Sequence, residues 1–225
     1  MRARCFPSCL PPLFMLLISG VWALAEEVVL LQFQRNGTLL PPVVIGLHEA
    51  DAPRHAANFK RLVARGFYKK TSVHRVAPER LVQLGDPLSR GKDSPDIGTG
   101  GPGYTLPPEV MHRHTAGSVG MARLPDRINP SRLSNGSQFY VALKPLPELD
   151  GTDTVFGRVE SGLEVLLAIS NAPADTNEIP LERVSVKRME LVRREKLDEK
   201  LGAWAQTAPK KESWWGRNFG KFWPL

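Results

Sequence analysis

The sequence predicts an all-β domain, barrel or sandwich, that carries two helices. Three observations predict it. Short strand-like apolar runs recur along the chain, turn and loop signals separate them, and only two segments place apolar residues at helical spacing. The chain shows no internal repeat.

Val28-Val29-Leu30-Leu31-Gln32-Phe33 reads as the first strand, Asn36-Gly37 as a hairpin turn, and Val43-Val44-Ile45-Gly46-Leu47 as the returning strand. Asp51-Ala52-Pro53 opens a helix, with proline in its first turn where the missing N–H costs nothing. Ala56, Phe59, Leu62 and Val63 continue it at helical spacing, and Gly66 ends it. Thr71–Val76 and Arg80–Leu84 are two further strands. Residues 87–112, rich in Gly, Pro and Asp, form a long loop, and loops of that length are usually functional or disordered. Gly117–Ala122, Gln138–Leu143 and Thr154–Val159 are strands; Gly162–Ser170 is a second short helix; Val184–Val192 is a last strand.

The 225-residue length suits one domain with appendages. Arg2 and Arg4, the apolar run from Leu13 to Trp22 and Ala23-Leu24-Ala25 have the order of a cleavable export signal. The apolar run is short for a membrane span, which needs about 20 apolar residues, although an uncleaved N-terminal anchor is the competing reading. The expected organisation is therefore a signal at 1–25, a domain at 26–194 and a basic, aromatic-rich tail at 195–225. The expected location is exported, either periplasmic or secreted. Cys5 and Cys9, the two cysteines of the chain, fall in the expected signal, so a mature form has neither disulfides nor cysteine chemistry. The formal charge is +7, or +5 without Arg2 and Arg4, and is spread along the chain. That distribution argues against a nucleic-acid partner, which calls for clustered cations with interleaved aromatics.

Three ordered motifs carry the chemistry. They are Val73-His74-Arg75-Val76 running to Gln83-Leu84-Gly85-Asp86, then Asn135-Gly136-Ser137-Gln138-Phe139-Tyr140, then Leu149-Asp150-Gly151 running to Val155-Phe156-Gly157. Together, at these separations, they resemble the signature of the cyclophilin-type peptidyl-prolyl isomerases. The resemblance covers about Glu27 to Arg194. It implies a closed eight-stranded antiparallel barrel capped by two helices, and isomerisation of Xaa-Pro bonds in exported polypeptides as they fold.

Amide resonance raises a rotation barrier of about 18–20 kcal/mol, and uncatalysed prolyl isomerisation takes roughly tens to hundreds of seconds. At the twisted transition state the prolyl nitrogen regains a localised lone pair. A fixed donor aimed at that nitrogen favours the twisted state over the planar one. Such a mechanism requires no cofactor, metal, nucleophile or general base. The resemblance implies that Arg75 is this catalytic donor. It also implies a substrate-binding set of Leu81, Gln83, Gly98, Ala122, Arg123, Gln138, Tyr140 and Leu149. Alternate residues of a strand share a face, so Arg75 and Gln83 converge if their strands are neighbours.

Three positions depart from the family. Arg80, Glu148 and Asp153 stand where aromatic residues usually wall the proline slot. Arg80 and Glu148 can pair across the rim. The slot is expected to be smaller and more polar, with reduced activity toward simple prolyl peptides. A binding module that holds proline-containing or unfolded polypeptide is therefore the alternative function.

Blander readings stand beside these. Without its flanking motifs Arg75 reads as an ion-pair arginine, and Gln83 and Gln138 as satisfiers of backbone groups. His74 points to the opposite strand face and reads as a satisfied core or interface histidine. The glycines from Gly98 to Gly103 lack the Gly-Lys-Ser/Thr ending of a phosphate loop, and the five histidines show no metal-ligand spacing. Trp204, Trp214, Trp215 and Trp223 all follow the expected domain, among lysines. They suit packing or self-association, docking of a partner protein, or contact with a membrane surface.

Overall fold

A computed structural model describes residues 26–91 and 94–205. The expected export signal, and the tail from residue 206 onward with Trp214, Trp215 and Trp223, lie outside the described residues. Nine strands form one antiparallel sheet: β1 (Glu27–Arg35), β2 (Thr38–Leu39), β3 (Val43–Leu47), β4 (Arg75–Ala77), β5 (Leu81–Leu84), β6 (Ser118–Arg123), β7 (Ser134–Ala142), β8 (Val155–Ser161) and β9 (Val184–Arg193). From β1 the order runs β3-β8-β6-β7-β5-β4, while β9 pairs with the other side of β1.

The sheet curls until its two ends meet. The segment just before β4 reaches β9 through Lys70 N–H to Val186 O (2.9 Å), Val186 N–H to Thr71 O (2.7 Å) and Val73 N–H to Val184 O (2.9 Å). Only an isolated bridge, Ser72 to Ser185, forms there. The barrel-like antiparallel architecture is the one expected, but its closure is partial. The strand anticipated from Thr71 is shorter for the same reason, since residues 70–73 serve the seam and β4 begins at Arg75.

Period-two alternation divides the strands into two populations. Val29, Leu31 and Phe33 of β1 point into the main core, where Phe59 packs edge-on against Phe139 (5.1 Å between ring centroids) and Phe156 (5.0 Å). Val28 and Leu30 point outward into a second cluster with Val44, Val192 and Trp204. Both faces of β1 are thus buried, which explains its continuous apolar run.

Helices α1 (Pro53–Ala64) and α2 (Leu163–Ser170) are the two expected ones. Pro53 occupies the first turn of α1, and Gly66, at φ +66°, follows its end. Ala52 offers no side-chain cap. Glu109, from the long loop, accepts instead from Arg54 N–H (3.1 Å), His55 N–H (3.0 Å) and His55 Nδ1 (2.6 Å). One carboxylate thereby satisfies the helix start and pins the loop.

A third helix, α3 (Leu197–Ala205), lies in the stretch assigned from sequence to the tail. It lays Trp204, 3% exposed, over the outer face of β1 and β9, and the Arg188 guanidinium stacks 3.8 Å above that indole. The packed unit therefore continues past Arg194, and for Trp204 the packing reading of the tail applies.

Candidate functional site

Four adjacent strands, β4, β5, β7 and β6, present the site on the outer face of the barrel. Arg75 lies opposite Gln83, Gln83 opposite Tyr140, and Gly120 opposite Tyr140. The intervening residues Val76, Val82, Phe139 and Val141 face the core. Alternation thus anchors each site residue between core residues that hold its backbone in place.

The register brings Arg75 and Gln83 together, but their side chains turn apart. Gln83 Nε2 donates to Gln138 Oε1 (3.0 Å), and Gln138 Nε2 donates to the carbonyls of Gly98 (2.9 Å) and Gly100 (2.7 Å). Asn135 Nδ2 also donates to Gly100 O (3.0 Å). The Asp86 carboxylate accepts from the N–H groups of Leu88 (2.7 Å), Gly98 and Gly100 (3.3 Å). A Cβ on Gly100 would fall 2.2 Å from Asp86 Oδ1, so glycine is needed for that approach. The long loop owes its order to this backbone capture.

Beside it opens a cleft of about 270 Å³. Of the expected residues, Gln83, Gly98, Ala122, Arg123 and Gln138 line it, and Leu124 and Ile128 form an exposed apolar rim. Gln138 is buried, and its side chain bonds Gln83, Gly98 and Gly100, so it braces the cleft wall.

Leu81, Tyr140 and Leu149 do not line the cleft but form an apolar cluster with Ala77, Ala142 and Leu146, which Ala122 joins to the cleft. Tyr140 is 3% exposed, and its ring covers Gly120, where a Cβ would fall 2.4 Å from the ring. Its hydroxyl is 2.8 Å from His114 Nε2 and 3.2 Å from Asp153 Oδ2. One hydroxyl proton serves one acceptor at a time. His114 therefore either takes that bond at Nε2 or donates at both ring nitrogens, since Nδ1 lies 3.0 Å from Asp150 Oδ1. Arg123 Nε donates to Asp153 Oδ1 (2.6 Å) and Arg123 Nη1 to Asp126 Oδ1 (2.5 Å). Burial, reinforced by the Asp153 charge, pushes the Tyr140 phenol far above the ordinary range, so it stays protonated.

The three departures from the aromatic wall are all engaged. Arg80 Nη2 donates to Glu148 Oε1 (2.7 Å) across the rim, and holds that carboxyl below its ordinary value. Asp153 joins the buried network. The charged groups of all three are thus bonded to neighbouring side chains.

Arg75 pairs with a residue that the sequence reading did not single out. Its Nε donates to Glu178 Oε2 (2.6 Å), and both side chains are about 40% exposed. The arginine and the glutamate are 103 positions apart, so no local signal joins them. His114, as a partner of Tyr140, and Asp150, as a partner of His114, were equally invisible. His74 is buried as expected, but neither ring nitrogen is in good hydrogen-bond geometry, although the Ser72 backbone and the Gln138 side chain lie beside it and favour its charged form. Burial pushes its pKa down, so the ring tends to stay neutral.

This face therefore carries an arginine on a short strand, two bonded glutamines and a loop-walled cleft. Residues 30–191 match the family model for cyclophilin type peptidyl-prolyl cis-trans isomerase. The chain is 33% identical over 158 residues to peptidyl-prolyl cis-trans isomerase-like 1 of Emericella nidulans, covering 69% of this chain and 91% of that protein. It is 34% identical over 166 residues to peptidyl-prolyl cis-trans isomerase cypE of Dictyostelium discoideum, covering 72% and 96%. A crystal structure of a Cryptosporidium parvum cyclophilin type peptidyl-prolyl cis-trans isomerase superposes with a TM-score of 0.64 at 25% identity, covering 74% of this chain and 97% of that one. A second structure of that protein, in the presence of the dipeptide Ala-Pro, gives 0.62 at 25% identity, covering 73% and 98%. The chain belongs to the cyclophilin-type peptidyl-prolyl cis-trans isomerase family.

Proposed function

We propose that this chain isomerises Xaa-Pro bonds of exported polypeptides, with Arg75 donating to the prolyl nitrogen in the twisted transition state. The observation that carries the reading is the placement of Arg75. It stands at the start of β4, opposite Gln83, with Nε held by Glu178 and its two Nη groups without a hydrogen bond among the described residues. A guanidinium held in this way offers donors that substrate can use. The prolyl ring sits against Leu81, Ala122 and Leu149 beside Tyr140, and the preceding residues run along the cleft by Ala122 and Arg123. The Ala-Pro dipeptide named with the Cryptosporidium relative supports a prolyl peptide as the ligand class. The export setting rests on the N-terminal segment alone.

A charge-assisted bond contributes about 1.5–3 kcal/mol, or roughly 10- to 100-fold in rate. Arg75→Ala should therefore slow isomerisation of a prolyl tetrapeptide by about 10- to 100-fold, while binding the peptide at a similar concentration. An unchanged rate in that variant rules out the donor role.

One observation favours a second reading, a low-activity module that binds proline-containing or unfolded polypeptide. Tyr140 is buried and bonded within the slot, which leaves less room for a prolyl ring. Peptide binding without measurable isomerisation by either protein would select this second reading.

A further inference from the structure

The loop between α2 and β9 is folded around the residue that meets Arg75. Asp175 Oδ1 accepts from Asn177 N–H (2.8 Å) and Ile179 N–H (2.9 Å), and the Asp175 N–H donates to Ile179 O (2.9 Å). Glu178 N–H donates to Asp175 O (3.1 Å), and an antiparallel bridge joins Ala174 to Pro180. Within this turn Glu178 takes φ +64°, a left-handed conformation uncommon for a residue with a Cβ. Strain of this kind persists only where surrounding bonds over-determine it, and it concentrates at functional sites. Glu178 is tied down at both ends. Its carbonyl accepts from Val76 N–H (2.7 Å), the residue after Arg75, and its carboxylate holds Arg75 Nε.

The backbone bond and the side-chain bond therefore dock one residue on two successive positions of β4. The docking also replaces a missing neighbour. Gln83, the register partner of Arg75, gives its amide N–H to Gln138, and no side-chain bond joins its Oε1 to the guanidinium among the described residues. A carboxylate on Nε fixes the plane of a guanidinium while leaving both Nη groups for another acceptor.

We infer that Glu178 is the positioning residue for Arg75, setting the orientation in which the Nη groups meet the prolyl nitrogen. This rests on the donor role proposed for Arg75. Both partners are partly exposed, so the pair is weak in itself. The effect is on how often the guanidinium is aimed, and it should be of modest size and sensitive to salt.

The test is steady-state isomerisation of a prolyl tetrapeptide by the full chain and by Glu178→Ala, Glu178→Asp, Arg75→Ala and the Arg75→Ala/Glu178→Ala double variant. Glu178→Ala should lower kcat about five-fold, with KM within about two-fold. Glu178→Asp should recover part of the loss, and the double variant should be no slower than Arg75→Ala. The Arg75 Nε–Hε signal in NMR should lose its protection from exchange in Glu178→Ala. If Arg75→Ala is slow but Glu178→Ala turns over like the wild type or faster, the positioning role is overturned and the donor role stands. An equal loss from Glu178→Ala in the Arg75→Ala background also overturns it. If Arg75→Ala keeps the wild-type kcat, the donor role itself fails.

Discussion

The two halves of the site lie on one face of the same four strands, yet they are built differently. On the arginine side, Arg75 is partly exposed and has one ionic partner, and its register partner Gln83 lines an open cleft. On the tyrosine side, Tyr140 is buried among Arg123, Asp153 and His114, and each of these bonds another member of the set. The first half keeps donors available to a ligand. The second uses its polar atoms on itself, because a buried polar group left unpaired would be costly. The difference teaches that a position which usually carries an aromatic wall can be rebuilt in charged residues, provided that they are bonded as a set.

The sharpest way to break this contrast is Asp153→Ala. It removes the carboxylate that joins Arg123 to the Tyr140 hydroxyl, leaving them Asp126 and His114 as side-chain partners, in a region where both side chains of the lost ion pair are about a tenth exposed. We expect a stability loss of about 3 kcal/mol, read as a lower midpoint in urea. Glu178→Ala, on the exposed half, should barely move that midpoint. Equal losses would erase the distinction between the halves.

A second test uses pH. Burial lowers the pKa of His74, next to Arg75, and of His55 and His48, from the ordinary value of 6.5. Below that value the unfolded state takes up protons that the folded state resists, so stability falls as pH falls. On the tyrosine side the Asp150 carboxyl is held below its ordinary value of 3.8 by the backbone and ring N–H groups of His114. Its contribution is intact above that value and is lost only as pH falls through the lower folded pKa. The urea midpoint should therefore drop between about pH 7.5 and about pH 5.5, and His74→Phe should flatten that drop. A midpoint constant over this range would show that His74 titrates alike in both states.

The smallest effect is expected at the rim. Arg80 and Glu148 are both exposed, so separating them should leave the urea midpoint unchanged. Arg80→Phe restores an apolar wall and should raise kcat/KM for a prolyl tetrapeptide by about three-fold, of the order of one extra buried methylene. A fall in kcat/KM would mean that the cation itself serves the substrate.

Much of this site is legible in the sequence. The spacing from Arg75 to Gln83 suits two short adjacent strands, and the observed register pairs those two residues. The alternation of Gln138, Phe139 and Tyr140 separates site from core. The pairing of Arg80 with Glu148 follows from their opposite charges on one rim. The order of the long loop was not legible, because Asp86, Asn135, Gln138 and the start of α1 capture it from elsewhere in the chain. Nor was α3, whose outward apolar stripe has meaning only against Val28, Leu30 and Val192.

By itself the sequence determined the strand alternation, the helix boundaries at Pro53 and Gly66, and the family through its three motifs. These depend on residues close together along the chain, where backbone periodicity dictates which side chains share a face. Only the tertiary structure decided that Arg75 answers to Glu178 rather than Gln83, and that Tyr140 is locked to His114 and Asp153. Those choices depend on which hydrogen-bonding groups the curled sheet brings within about 3 Å of each other, whatever their separation along the chain.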